Sequence, residues 1–162
     1  MLIAAAAVYG GGSYTALKRE QLNELNALCH TLRLMQDELE TRALPLPELA
    51  AQLDTRTENA GKALLSGLLR RLPELGSRDF QNIWEECVTE SVKLSEEAAR
   101  LLCTLGSFLG RYDVDSQLEA IRSCRETLEK LRTTAAEALP QTRRLGMGLA
   151  LTSGALIVIT LI

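Results

Sequence analysis

The sequence predicts an all-α protein: a six-helix antiparallel cytoplasmic bundle flanked by an N-terminal and a C-terminal transmembrane helix. Three observations carry this. Apolar residues recur at helical spacing through the middle of the chain, with no convincing strand. Leu, Ala, Glu and Arg dominate, and aromatics make up only 4%. Every Lys, Arg, Asp and Glu lies between Lys18 and Arg144, which leaves an uncharged run at each end. The expected division is an N-terminal span over 1–17, one bundle over 18–144 and a C-terminal span over 145–162.

The first run, MLIAAAAVYGGGSYTAL, is the weaker of the two. It holds Gly10, Gly11 and Gly12 in a row and four hydroxyl side chains. Glycine is better tolerated in a membrane helix than in a soluble one. A cleaved signal peptide is the rival reading. It wants a basic residue before the apolar stretch, and none is present, although the Ala/Gly/Ser content offers a cleavage site.

The first long helix follows. Leu25, Leu28, Leu32, Met35 and Leu39 alternate spacings of three and four, a heptad-like seam. Leu44-Pro45-Leu46-Pro47 ends it and starts a second helix, because proline suits a first turn and not an interior. A third helix is expected from Thr57-Glu58, carrying Ala63, Leu64, Leu65, Leu68 and Leu69. Pro73 and Gly76 break the chain again. Ser77 or Asp79 then caps a fourth helix with Phe80, Ile83, Trp84, Val88 and Val92. Ser95 before Glu96 and Glu97 marks a fifth N-terminus, since acids favour the positive end of the helix dipole. That helix is expected to run through Leu101, Leu102 and Leu105 to Gly110. Asp113 caps the sixth, whose stripe is Leu118, Ile121, Leu128, Leu131, Ala135 and Leu139, with Cys124 on the same face. The two long helices each adjoin a terminal run, so their stripes are expected to pair antiparallel.

The last run, LGMGLALTSGALIVITLI, is 18 residues without a charge. As a helix it spans about 27 Å, close to a bilayer core of about 30 Å. The rival reading, a buried core helix, needs a larger apolar shell than the remaining chain provides. Gly146, Ala150 and Gly154 recur every four residues, a face on which another helix can approach closely. Candidate partners are the first span, through Ala6 and Gly10, or another subunit.

Orientation follows from the cations. Lys18 and Arg19 follow the first run, Arg143 and Arg144 precede the second, and no Lys or Arg lies beyond either. Positive residues near membrane ends stay on the cytoplasmic side. Both boundaries therefore put 18–144 in the cytoplasm, at a cell membrane.

The search for chemistry is mostly negative. His30 is the single histidine, with no second one to complete a metal site. Cys29, Cys87, Cys103 and Cys124 lack C-x-x-C spacing and fall on or beside apolar stripes, which favours buried reduced thiols over zinc ligands or disulfides. Gly61-Lys62 lacks the glycine five residues earlier that a phosphate loop requires; position 56 is Arg. Glu85/Glu86 and Glu96/Glu97 read as solvated helix surface. Formal charge is −3, with no basic stripe suited to nucleic acid. Neither terminal run holds an acid, histidine or cysteine, which argues against an intramembrane enzyme. The expectation is a non-enzyme with no cofactor, no metal and no catalytic residue.

Gly110-Arg111-Tyr112-Asp113 admits two readings. One is a helix end, a short turn and an N-cap. The other is an exposed recognition corner made by Arg111, Tyr112, Asp113 and Asp115, braced by a hydrogen bond from Gln117. The ends of the bundle remote from the bilayer are expected near Arg42–Pro47 and Gly110–Asp115, because each long membrane-linked helix stops or starts there.

Three stretches resemble stage III sporulation protein AB of endospore-forming bacteria. They are ELETRALPLPELAAQL (Glu38–Leu53), LGSFLGRYDVDSQLEAI (Leu105–Ile121) and the tail RRLGMGLALTSGALIVITLI. The combination, in order and spacing over nearly the whole chain, carries the likeness. Departures are a less hydrophobic first run, Arg42-Ala43 where an aromatic is common, and Gln141-Thr142 where a Tyr is common. The family is similar to the F-type platform domain of type II secretion, a six-helix cytoplasmic bundle. The resemblance implies a scaffold in the complex joining mother cell and forespore, in the mother-cell membrane. It implies docking of a partner ATPase, stage III sporulation protein AA, with other channel-complex membrane proteins as neighbours and homo-oligomers as a possibility. Arg42, Arg111, Tyr112, Asp113, Asp115 and Gln117 are then the expected partner surface. A different class of function, a membrane-anchored signalling adaptor that dimerises through the heptad seams, stands as the alternative.

Overall fold

The computed structural model describes residues 2–91, 93–110 and 113–161, with side chains for 16–90, 93–110 and 113–137. Six α-helices follow one another among these residues: α1 (Leu2–Arg42), α2 (Leu46–Asp54), α3 (Asn59–Arg71), α4 (Phe80–Ser91), α5 (Glu96–Gly106) and α6 (Val114–Leu161). A 3₁₀ turn, Leu72–Glu74, follows α3. The expected spans over 1–17 and 145–162 fall, all but Ala16 and Leu17, outside the described side chains. So does the Gly146, Ala150, Gly154 face. Among the described residues no helix is long and apolar enough to cross a membrane.

The frame is the α1–α6 pair. The seam expected on α1 is buried at every position: Leu25, Leu28, Leu32, Met35 and Leu39. On α6, Ile121, Cys124 and Leu128 are buried, and Leu118 and Leu131 pack on the core from its edge. Two polar contacts fix direction. Arg132 Nη1 donates to Asn26 Oδ1 at 3.4 Å, and Arg122 Nη2 lies 3.7 Å from Glu40 Oε1. Advancing along α1 retreats along α6, so the helices are antiparallel. Each buried leucine side chain is worth about 1.5–3 kcal/mol of apolar transfer, which outweighs these exposed polar links.

The four shorter helices complete the core. Leu46 opens α2 with Pro47 in its first turn, where a missing N–H costs nothing. α3 begins two residues later than Thr57. Thr57 is buried and its Oγ1–H donates to Leu53 O at 2.9 Å, which ties it to the preceding helix instead. Asn59 takes a positive φ of 50°, a conformation asparagine tolerates better than most residues. α3 crosses α1 closely: a Cβ on Gly61 would collide with Thr31 Oγ1 and stand 3.3 Å from Ala27 O. Between Ser77 and Asp79, the chain uses Asp79 as the start of α4, and Ile83 N–H donates to Asp79 O at 3.3 Å.

α4 and α5 form a hairpin centred on Trp84, whose Nε1–H donates to Leu102 O at 2.6 Å. Ser95 caps α5 as expected, accepting from Ala98 N–H at 3.4 Å. The fifth helix ends at Gly106, not at Gly110. Phe108 N–H and Leu109 N–H both return to Leu105 O, and Gly110 turns the chain at φ 77°. That left-handed step is the one a glycine makes without strain.

Arginine clamps close the α3–α4 turn. Arg78 bridges Glu74 at 2.8 Å and Glu86 at 2.6 Å, and Arg71 reaches Glu90 at 2.5 Å and Glu86 at 3.5 Å.

Candidate functional site

The α1–α2 and α5–α6 turns lie at one end of the bundle. A Cβ on Gly110 would stand 4.0 Å from Leu46 Cδ2, so the two turns touch although 64 residues separate them in sequence. The opposite end is marked by Lys93 Nζ, 3.7 Å from Glu20 Oε1, which sets the α4–α5 turn beside the start of the charged part of α1.

At the first end the helix cap is fully formed. Asp113 Oδ1 accepts from Ser116 N–H at 2.9 Å, and Asp113 Oδ2 accepts from the Ser116 hydroxyl at 2.9 Å. The Ser116 N–H bond is the largest influence holding the Asp113 carboxyl below its ordinary range. Gly110 N–H donates to Gln117 Oε1 at 3.4 Å, which ties the turn back onto α6. Asp115 is exposed in the first turn of α6. Arg42 is exposed at the end of α1, 3.8 Å from Glu38. Glu38 also takes Arg56 at 2.6 Å, so α1 and the α2–α3 turn share a carboxylate here. Arg111 and Tyr112 lie outside the described residues.

Large apolar side chains at this end were not anticipated from the pattern. Phe108 is 38% exposed and Val114 37% exposed, on either side of the Gly110 turn. Phe108 falls in the part of the fifth helix that proves to be turn, so its helical stripe did not predict its direction. Beside it, Leu101, Leu105 and Phe108 of one side face Ala120 and Thr127 of α6 across a groove of about 570 Å³.

His30 is exposed and borders a polar hollow of about 380 Å³ with Asn23, Asn26, Arg56, Glu58 and Asn59. Among the described residues no three His, Cys, Asp or Glu side chains gather in the way a metal ion would need. The four cysteines are free thiols. Cys29, Cys87 and Cys124 are buried, whereas Cys103 is half-buried, a correction to the expectation that all four are. Cys103 sits on the side of α5 that also carries exposed Arg100 and Thr104.

The family model for stage III sporulation protein AB matches residues 1–162, the whole chain. The chain belongs to the stage III sporulation protein AB family. A solved structure described as "Stage III sporulation protein AB (SpoIIIAB)" is similar to it at a TM-score of 0.65. The likeness covers 75% of this chain and 97% of that one, at 22% identity. It shows that the six-helix arrangement is shared. No curated protein matches the chain. The chain is therefore a sporulation-family protein with six α-helices among its described residues.

Proposed function

We propose that this chain is a non-catalytic membrane platform of the sporulation channel complex. Residues 1–17 and 145–162 anchor it in the mother-cell membrane around the forespore. The body over 18–144 stands in the cytoplasm. Its far end docks an ATPase of the stage III sporulation protein AA type, with other channel-complex membrane proteins, and further copies of this chain, packed around the anchors.

One observation supports this above the others: the register of α1 against α6. Asn26 meets Arg132. Stepping back along α1 to Leu17, and the same distance on along α6, reaches Gln141, just ahead of Arg143 and Arg144. The second run begins at Leu145, four residues or about 6 Å further along, so both apolar runs start within about one helical turn of each other on one antiparallel pair, as two anchors of a single bundle must. The α1–α2 and α5–α6 turns are carried to the other end, clear of a bilayer. The adaptor reading fares worse, because the α1 seam it needs for dimerisation is buried inside the chain.

The experiment is capture of the partner ATPase by the tagged full-length chain from sporulating cells. Paired reversals, Arg111→Glu with Asp115→Arg, should abolish capture while the helical circular-dichroism signal stays intact. A cation in the first turn of α6 costs about 0.3–1 kcal/mol, too little to unfold the domain. Undiminished capture by the double variant removes the far end as the docking surface.

A further inference from the structure

Lys93 belongs to the turn between α4 and α5, yet it stands beside Glu20. Glu20 comes three residues after Leu17, the last residue of the first apolar run. At about 1.5 Å per residue that is about 4.5 Å along the helix axis. The headgroup layer of a bilayer is about 5–8 Å deep on each side. A membrane that begins at Leu17 therefore has its phosphates at the height of the Lys93–Glu20 pair. Leu17 itself is 59% exposed.

The turn is built to hold Lys93 outward. Leu94 packs against the core, and Ser95 caps α5. The Lys93 side chain is 87% exposed and its ion pair with Glu20 is long and solvated. Such a pair is worth little and exchanges readily for another anion. Neighbouring charges favour an anionic surface: Lys18 and Arg19 lie at the same level of α1, and Arg143 and Arg144 precede the second run. Of the acids closest in sequence, Glu90 is held by Arg71 and Glu96 by Arg100, and Glu97 sits in the first turn of α5, where the helix dipole offsets it.

We propose that the α4–α5 turn is a third contact with the membrane, with Lys93 Nζ on the phosphate of an anionic lipid headgroup. This rests on the anchoring by both terminal runs proposed above. Two adjacent helices leave a body free to rock about the line that joins them. A third support off that line, on the α4–α5 hairpin, removes the rocking and fixes the height and tilt of the docking turns.

Lysine footprinting tests this on the full chain in vesicles. A water-soluble acylating reagent is applied in phosphatidylcholine vesicles with or without phosphatidylglycerol, and each lysine is read by mass spectrometry. Acylation of Lys93 should fall about fivefold when the anionic lipid is present, the occupancy change that one basic residue near such a surface supplies. It should recover in molar salt, where the Debye length is about 3 Å. Lys62, exposed on α3, should not change. Equal acylation of Lys93 in both vesicle types overturns the headgroup contact, provided the chain resists alkaline carbonate extraction. Extraction by carbonate overturns the anchoring itself, and this inference with it.

Discussion

Gly106 lies flat against Trp84: a Cβ built on Gly106 would fall 2.7 Å from Trp84 Cγ. Trp84 is wholly buried, and its N–H is committed to the carbonyl of Leu102, one turn before Gly106 on α5. The indole therefore cannot retreat without losing a buried hydrogen bond. Phe80 flanks it, with ring centroids 6.1 Å apart. The α4–α5 hairpin closes to this distance because residue 106 has no side chain. Gly106→Ala is expected to cost about 1–3 kcal/mol by overpacking. That corresponds to a fall in melting temperature of about 2–12 °C for a chain of this size. Thermal unfolding of the full chain in detergent, with Lys62→Ala at an exposed position of α3 as the surface control, checks it. A melting temperature equal to the control would mean that the hairpin separates freely.

Acid should weaken the fold through two carboxylates whose partners are visible. Arg78 holds Glu86 below its ordinary range, chiefly by a direct hydrogen bond, and the Ser116 N–H does the same for Asp113. With the folded value depressed, the unfolded chain binds the proton more readily. The stabilisation is therefore complete above the unfolded values, about 3.9 for Asp and 4.3 for Glu, and is lost as pH falls through the folded ones. Asp113→Asn should lower the melting temperature at pH 7. The gap from the parent should shrink steadily below about pH 4. A gap that stays constant to pH 2 would assign the cap's worth to hydrogen-bond geometry and not to charge. Arg78→Gln should flatten the same acid limb through Glu86.

Much of this architecture is legible in the chain, and the reasons differ between elements. The α1 seam is readable because a heptad of large apolar residues has one stable use, burial against a long partner, and α6 carries the matching stripe. Pro47, Ser95 and Asp113 mark helix starts because each solves a first-turn problem that few residues solve. What the pattern hides is set by tertiary contacts. Gly61, read as half of a failed phosphate loop, is where α3 crosses α1 over Thr31, and no local signal reports a crossing. Leu105 to Gly110 looks helical, yet the chain leaves the helix at Gly106 and turns to meet Leu46, a residue distant in sequence. The apolar pair flanking the candidate site, Phe108 and Val114, follows from that turn and was hidden with it. Lys93 is an ordinary loop lysine until the hairpin sets it beside Glu20.

Thiol reactivity offers an independent check on the core. Burial raises all four cysteine pKa values, and Cys124 is pushed up to about 12 by desolvation and by its neighbour Cys29. The thiolate is the reactive form, so at pH 8 a folded chain presents almost none of it at Cys124. Arg71 Nη1 approaches Cys87 Sγ at 3.9 Å and tempers the shift there without reversing it. Cys103, half-buried on α5, is the one a reagent reaches first. Maleimide labelling of the folded chain, read by peptide mass, should modify Cys103 at least about tenfold faster than the other three, since access and thiolate fraction act in the same direction. Guanidinium should bring all four to similar rates. Fast labelling of Cys29 or Cys124 in the native chain would mean that α1 and α6 part from one another, and the shared level of the two terminal runs would lose its structural basis.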